Sequence, residues 1–313
     1  MAQKNADWKS FFLKTTDGAE LHCFSALPKV QPKAIIHINH GMAEHAARYE
    51  RFAQALTGAG YGVFAHDHRG HGHTTAPGAA QGHFAQSGGW GAVIGDVLAV
   101  NAEIKQHHPD VPIICLGHSM GSIITFNYIL RHPDTIAGAA LWNSGVEAGA
   151  LLAILRSILK IQRMFKGSDV PSGFAQKASF ETWNKKFAPN RTECDWLSRD
   201  EAEVDKYIAD PLCGFDVTIG LWLDVLQGIH FAADDANLKS LPKTTPVHLQ
   251  AGDEDPCTKN GKSVANIHSR MKSAGMNDVT FTLLKNNRHE SLNELDRDET
   301  TRQFIQWLDD RFG

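Results

Sequence analysis

Short runs that are apolar at every position alternate with amphipathic stretches along this chain, break off after Asn143 and resume at Pro246. Ala34–Ile38, Tyr61–Ala65, Ile113–Leu116 and Ile136–Trp142 read as buried strands, with helices predicted over Arg48–Gly60, Gly91–His108 and Ile123–Arg131. A strand without polar alternation must be covered on both faces, and intervening helices supply that cover, so the pattern predicts an α/β fold with a mostly parallel sheet. The same alternation returns as a strand over Pro246–Gln250, a helix over Lys259–Ala274, a strand over Val279–Leu284 and a helix over Leu292–Phe312. Near the start, Phe11–Thr15 and Glu20–Ser25 flank Asp17-Gly18 and predict an antiparallel hairpin. Residues 1–145 and 241–313 are therefore expected to form one core. Residues 146–240, rich in Trp and Phe, are expected to form a helical cap inserted where strands end and ligands bind.

Composition narrows the partners. A formal charge of −4 leaves no basic field for nucleic acid. The five cysteines are widely spaced and form no C-x-x-C pair, which argues against a disulfide framework or a zinc knuckle. Met1–Lys9 lacks the apolar stretch of a secretory signal, and no apolar run is long enough to span a bilayer. A cytoplasmic protein is the expectation.

The chemistry centres on Gly117-His118-Ser119-Met120-Gly121, set between the Ile113–Leu116 strand and the following helix. A serine hydroxyl is a weak nucleophile near neutral pH and needs a base within reach and a carboxylate to orient that base. On such a sheet the partners follow in the order Ser, acid, His, each on a loop after a strand. Asp255 follows one late strand, in a loop that also carries Asp253 and Glu254, and His289 follows the next. A strand-to-helix turn crowds the nucleophile, and Gly117 and Gly121 relieve that crowding. An oxyanion needs two aimed donors. The N–H of Met120 is expected to be one, and the N–H of Met42, in Asn39-His40-Gly41-Met42-Ala43-Glu44-His45, the other.

Taken together, His40-Gly41-Met42-Ala43-Glu44-His45 with Arg48-Tyr49, Asp67-His68-Arg69-Gly70-His71-Gly72, Gly117 to Gly121, Gly252-Asp253-Glu254-Asp255-Pro256 and His289-Glu290 resemble the α/β-hydrolase branch that holds monoacylglycerol lipases and bacterial lysophospholipases, of serine aminopeptidase S33 type. Asp205 to Cys213 is similar to the cap of the bacterial members. The resemblance implies Ser119, Asp255 and His289 as a triad, Met42 and Met120 as the oxyanion hole, no cofactor and no metal, and a small ester or lipid as substrate. The family spacing of Gly, two residues, then the acid selects Asp255 over Asp253. An amidase, thioesterase or peptidase would use the same triad, and a receptor that keeps the fold without turnover is the reading from another class.

Four further expectations follow. His66, His68, His71 and His73 fall on a structural loop of the family rather than around a metal, with Asp67 and Arg69 as an internal ion pair. Glu290 is expected to be a solvated charge, and Ser122 to be buried by packing. A helix over Leu151–Phe165 places Leu151, Ile154, Leu155, Ile158, Ile161 and Phe165 on one face and Arg156, Lys160 and Arg163 opposite. Such a helix either packs its apolar face on the core or lays it on a membrane as a peripheral contact.

Overall fold

A computed structural model describes residues 7–313; Met1–Ala6, part of the stretch read for a leader, lie outside the described residues. An eight-stranded sheet runs in the order β1-β2-β4-β3-β5-β6-β7-β8. Its strands are β1 (Lys9–Lys14), β2 (Glu20–Ala26), β3 (Ile35–Asn39), β4 (Gly62–His66), β5 (Ile113–His118), β6 (Gly138–Trp142), β7 (Val247–Gly252) and β8 (Val279–Leu284). The predicted hairpin is β1 with β2, and β2 also runs antiparallel to β4, while every pairing from β4 to β8 is parallel. After β3 the chain crosses to β4 on one side and then returns to β5 on the other. That reversal opens a crevice at the carboxyl ends of β3 and β5, the position where open α/β sheets bind ligands.

Side chains alternate across the buried strands. Ile36 and Ile38 of β3, Ile114 and Leu116 of β5, and Ala140 and Trp142 of β6 share one apolar cluster with helix α1 (Glu50–Gly58). Ile35, Cys115 and Leu141 join the opposite cluster with α2 (Gly89–His107) and α3 (Met120–Arg131). This two-sided burial is what the unbroken apolar runs required.

Between β6 and β7 lie α4 (Ala150–Lys166), short α5 (Gly173–Gln176) and α6 (Thr182–Asn184), then α7 (Glu201–Ala209) and α8 (Ile219–Ala233). The chain closes with α9 (Lys262–Ser273) and α10 (Arg297–Phe312). Helix α4 leaves most of the apolar face read from sequence uncovered. It meets α8 and buries Leu159, with Leu152 and Leu155 packed alongside. Leu151, Ile154, Ile161 and Phe165 stand exposed, Phe165 at 83%. Two apolar stripes lie next to each other on this helix, and α8 covers one of them. No described helix is long and apolar enough to cross a membrane.

The loop pairing of Asp67 with Arg69 is also corrected. Arg69 instead grips Asp96 of α2 through two bonds of 2.6 Å and reaches Asp17 at 3.0 Å. Asp67 accepts from the His22 ring at 2.9 Å and from the Ala46 and His73 amides. Burial resists the charge on Asp67, but these donors outweigh it and bring its pKa down to about 2. A rigid bidentate fork suits a carboxylate on the packed helix better than one two residues away, whose own donors already fill its lone pairs.

Imidazoles occupy the interior. The His37 ring lies 2.7 Å from the Asn101 side-chain oxygen and 3.0 Å from the His66 ring. Neutral rings satisfy that chain of donors and acceptors; an imidazolium would not. Burial lowers the pKa of His37 to about 4, of His71 and His248 to about 3, and of His40, His66 and His68 as well. Such groups bind protons only when the chain unfolds, so they favour the native state above pH about 6.5 and lose that contribution as pH falls toward their folded values. Asp96 and Asp224, raised to about 6 by burial, and His118, also raised, act in the opposite sense and are outnumbered. The urea midpoint is therefore expected to fall steadily from pH 7.5 to pH 5. A midpoint that stays flat or rises over that interval contradicts this account.

Candidate active site

Strand β5 ends at His118, and helix α3 begins at Met120, leaving Ser119 to make the whole turn. Its backbone sits at φ 54° and ψ −120°, a left-handed conformation that costs an L-residue of order 1–3 kcal/mol. The turn survives because the chain on either side can approach other backbone closely. A Cβ on Gly121 would lie 2.0 Å from the Asn39 carbonyl oxygen, and one on Gly117 would lie 2.2 Å from that of Gly121. Gly121 thus lets the start of α3 press against the end of β3.

Three loops meet there. The His289 ring lies 2.9 Å from the Ser119 Oγ through Nε2, and its Nδ1 lies 3.0 and 3.1 Å from the two oxygens of Asp255. Asp255 is fully buried, and where Nδ1–H donates to its carboxylate, Nε2 is left to accept from the serine hydroxyl. The Cys257 amide donates to Asp255 at 2.9 Å, and the Asn143 side chain lies 3.4 Å from its other oxygen. Gly252 brings the acid loop against the histidine loop, since a Cβ there would lie 2.0 Å from the Asn287 carbonyl oxygen. Asp255, rather than Asp253 or Glu254, is the carboxylate that faces the imidazole.

Met42 and Met120 flank the same spot. Gly41, Met42 and Ser119 line one cavity, and Met120 opens α3 directly after Ser119. Among the described residues, neither the Met42 N–H nor the Met120 N–H has a protein acceptor. Ser122 is 3% exposed, packed as expected.

Glu290 departs from expectation. It is 6% exposed and takes a two-pronged bond from Arg48, both arms 2.7 Å. Arg48 also reaches Glu44 at 2.7 Å. Glu44 accepts from the Gly41 amide at 2.5 Å and from the Tyr49 hydroxyl at 3.0 Å, and lies 3.3 Å from the His118 ring. The other nitrogen of His118 lies 3.0 Å from the His289 carbonyl oxygen. Burial opposes the charge on Glu44, yet Arg48 and His118 outweigh it and hold its pKa well below the carboxylate range. Burial likewise opposes a charged His118, and Glu44 outweighs that, raising the His118 pKa. This network is not legible from motif spacing, because its partners lie far apart in the chain.

The site opens into a cavity of about 630 Å3. Phe180, Trp196, Leu197, Tyr207 and Phe215 form its apolar wall, while Gln176, Glu181, Lys185 and Glu193 supply polar and charged groups. The Trp196 ring lies tilted 4.7 Å from the His289 ring, and the His289 and Glu290 amides donate to the Trp196 and Leu197 carbonyls at 3.4 and 2.8 Å. Among the described residues, metal-ligating atoms converge within 4.8 Å in two sets, Asp255–Cys257–His289 and His45–Asp210–Cys213. The first is the acid–histidine pair already described with one thiol beside it. His66, His68, His71 and His73 belong to neither set.

Comparison with known proteins places this geometry. A family model described as serine aminopeptidase, S33, matches residues 30–296. The chain is 34% identical over 214 residues to the monoglyceride lipase of Mus musculus, covering 67% of this chain and 63% of that protein. It is 30% identical over 245 residues to the monoglyceride lipase of Homo sapiens, covering 78% and 72%. In fold it resembles a thermostable carboxyl esterase from Bacillus coagulans in complex with glycerol, with a TM-score of 0.89 at 23% identity over 98% of this chain and 99% of that one.

The elbow yields a direct test. Gly121→Ala places a methyl group against immovable backbone, and overpacking of that kind is expected to destabilise by about 3 kcal/mol or more. The readout is the urea midpoint alongside Gly91→Ala, where a Cβ meets nothing within 4 Å. Equal stability of the two variants would contradict the close approach.

Proposed function

The chain belongs to the serine aminopeptidase S33 family of hydrolases, and we propose that it is a cofactor-independent serine esterase of the monoglyceride-lipase kind, with Ser119 as nucleophile, His289 as base and Asp255 as the group that orients it. The unbroken relay from the Ser119 hydroxyl through His289 to Asp255 carries this reading. Ser119 Oγ attacks the ester carbonyl carbon while His289 Nε2 takes its proton, and Asp255 stabilises the imidazolium. The carbonyl oxygen becomes an oxyanion held by the Met42 and Met120 amides, each worth about 3 kcal/mol in the transition state. Collapse expels the alcohol, which regains a proton from His289, and leaves an acyl-Ser119 ester. Water, deprotonated by the same imidazole, then releases the acid and restores the serine.

Residues 146–240 act as a cap over this pocket, and residues 1–145 with 241–313 as the core beneath it. The aromatic wall suits an acyl chain, and the polar cap residues suit a hydrated head group, which favours monoacylglycerol-like or lysophospholipid-like esters. Ester cleavage is preferred to amide or thioester cleavage because the similar proteins are monoglyceride lipases. A fluorophosphonate is expected to label the wild type to one equivalent and Ser119→Ala not at all. Asp255→Asn should lose about 10,000-fold in kcat, whereas Asp253→Asn stays within about twofold. Reversal of the two aspartates, or an unlabelled wild type, defeats the assignment.

The exposed stripe of α4 supports a finer statement, that the cap touches a lipid surface without entering it. Leu151, Ile154, Ile161, Met164 and Phe165 are each more than half exposed, and the same helix carries Arg156, Lys160, Arg163 and Lys166. That is the composition of an interfacial helix, in which apolar residues enter the acyl boundary and cations meet anionic head groups. Leu151→Asp with Phe165→Asp is expected to reduce sedimentation with phosphatidylserine-containing vesicles at least fivefold while leaving turnover of a water-soluble ester unchanged. Undiminished binding by that double variant rules the surface out.

A further inference from the structure

The oxyanion loop is anchored from two directions. At its ends the anchors come from the core: the Gly41 amide donates to Glu44 at 2.5 Å, the His40 ring is fixed between the Gly41 carbonyl and the His68 amide, and the Ala46 amide donates to Asp67 at 2.8 Å. In its middle the anchors come from the cap. The Ala43 carbonyl accepts from the Tyr207 hydroxyl at 3.0 Å and from the Gly214 amide at 2.9 Å. The His45 ring lies 2.8 Å from the Asp210 carboxylate, and the Arg48 guanidinium sits 5.0 Å from the centre of the Tyr207 ring.

Ala43 makes these cap bonds consequential. It holds φ 53°, a left-handed conformation that an alanine adopts under external constraint. Met42 lies between core-anchored Gly41 and strained Ala43, so the direction of its N–H depends on both supports. Ala43 is buried, which removes water as an alternative donor to its carbonyl.

We propose that the cap segment 207–214 is a positioning element for the oxyanion hole, with Tyr207 and Asp210 as positioning residues that hold Ala43 and His45 so that the Met42 N–H faces the reacting carbonyl. The cap then governs the transition state as well as access: a cap displaced from the core releases the Ala43 carbonyl and relaxes the loop. This rests on the esterase reading and adds to it a way of regulating that site. Cap position and catalytic competence are one equilibrium, in which whatever draws the cap away also disables the hole.

Tyr207→Phe removes the donor to Ala43 and keeps the ring against Arg48, and Asp210→Asn removes the charge facing His45. Loss of a full oxyanion donor costs on the order of 100-fold in kcat or more, and a loosened one costs less. The expected result for Tyr207→Phe is a fall of about tenfold in kcat per active site, counted by fluorophosphonate titration, with KM within about twofold. Affinity for an alkyl trifluoromethyl ketone, whose adduct carries a real oxyanion, should fall by the same factor. The loss should be equal for acetyl and longer p-nitrophenyl esters, because the hole is common to all of them. A role confined to pocket shape gives instead a loss that varies with acyl length, with ketone affinity unchanged, and overturns the proposal. If Tyr207→Phe folds poorly, the same comparisons on Asp210→Asn decide. An unlabelled wild type overturns both readings; a labelled wild type whose variants match it in kcat and ketone affinity overturns this one alone.

Discussion

Everything at this site depends on the close approach of the start of α3 to the end of β3, which Gly121 permits. The left-handed Ser119 is tolerable because the turn is wedged between the Asn39 and His40 backbone and the Trp142 carbonyl, which accepts the Ser119 amide at 3.0 Å. The same wedge fixes where the Gly41–Met42 loop passes. Ser119 and the Gly41–Met42 loop are therefore set by one backbone contact, before any side chain is considered. Placement at the point where the sheet reverses order lets β3 and β5 be neighbours while their following loops diverge, and the crevice between those loops receives the cap.

Residues 146–240 are joined to the rest of the chain by more than apolar contact. Trp196 and Leu197 take amides from the histidine loop, Tyr207 and Gly214 hold the oxyanion loop, and Ser198 donates to the Asn293 carbonyl. Arg288 in turn donates to the Asp195 carbonyl, and Arg199 pairs with Glu294. These bonds converge on two loops that carry chemistry. The outer side of this insertion is different in kind, since α4 leaves large apolar side chains more than half exposed. One insertion thus has a polar, directional inner face and an apolar outer one.

The sequence made the sheet legible because burial on both faces leaves no alternative to continuous apolar strands, and the order of Ser119, Asp255 and His289 follows from where strands end. The choice of Asp255 among three adjacent carboxylates came from family spacing, and the geometry supplies its physical reason, since Gly252 brings that loop against the Asn287 backbone. What stayed hidden were partnerships across long sequence separations. Arg48 and Glu290 stand 242 residues apart, and nothing local in Glu290 distinguishes a buried charge from a solvated one. Asp67 is two residues from Arg69 in sequence, whereas the packed helix offers Asp96. Helix α4 failed for another reason: a helix with two apolar stripes does not announce which of them α8 will cover.

The charged network beside the triad raises a question of balance. Burying Glu44, Arg48 and Glu290 together costs solvation that well-packed apolar residues would not, so stability alone does not account for it. With His118 protonated, two cations face two carboxylates and the network is neutral. It then reaches the oxyanion loop through the Gly41 amide, the nucleophile turn through His118 and the histidine loop through both Glu290 and the His289 carbonyl. Directional bonds to three separate loops specify their mutual register in a way that apolar contacts, which slide at little cost, do not.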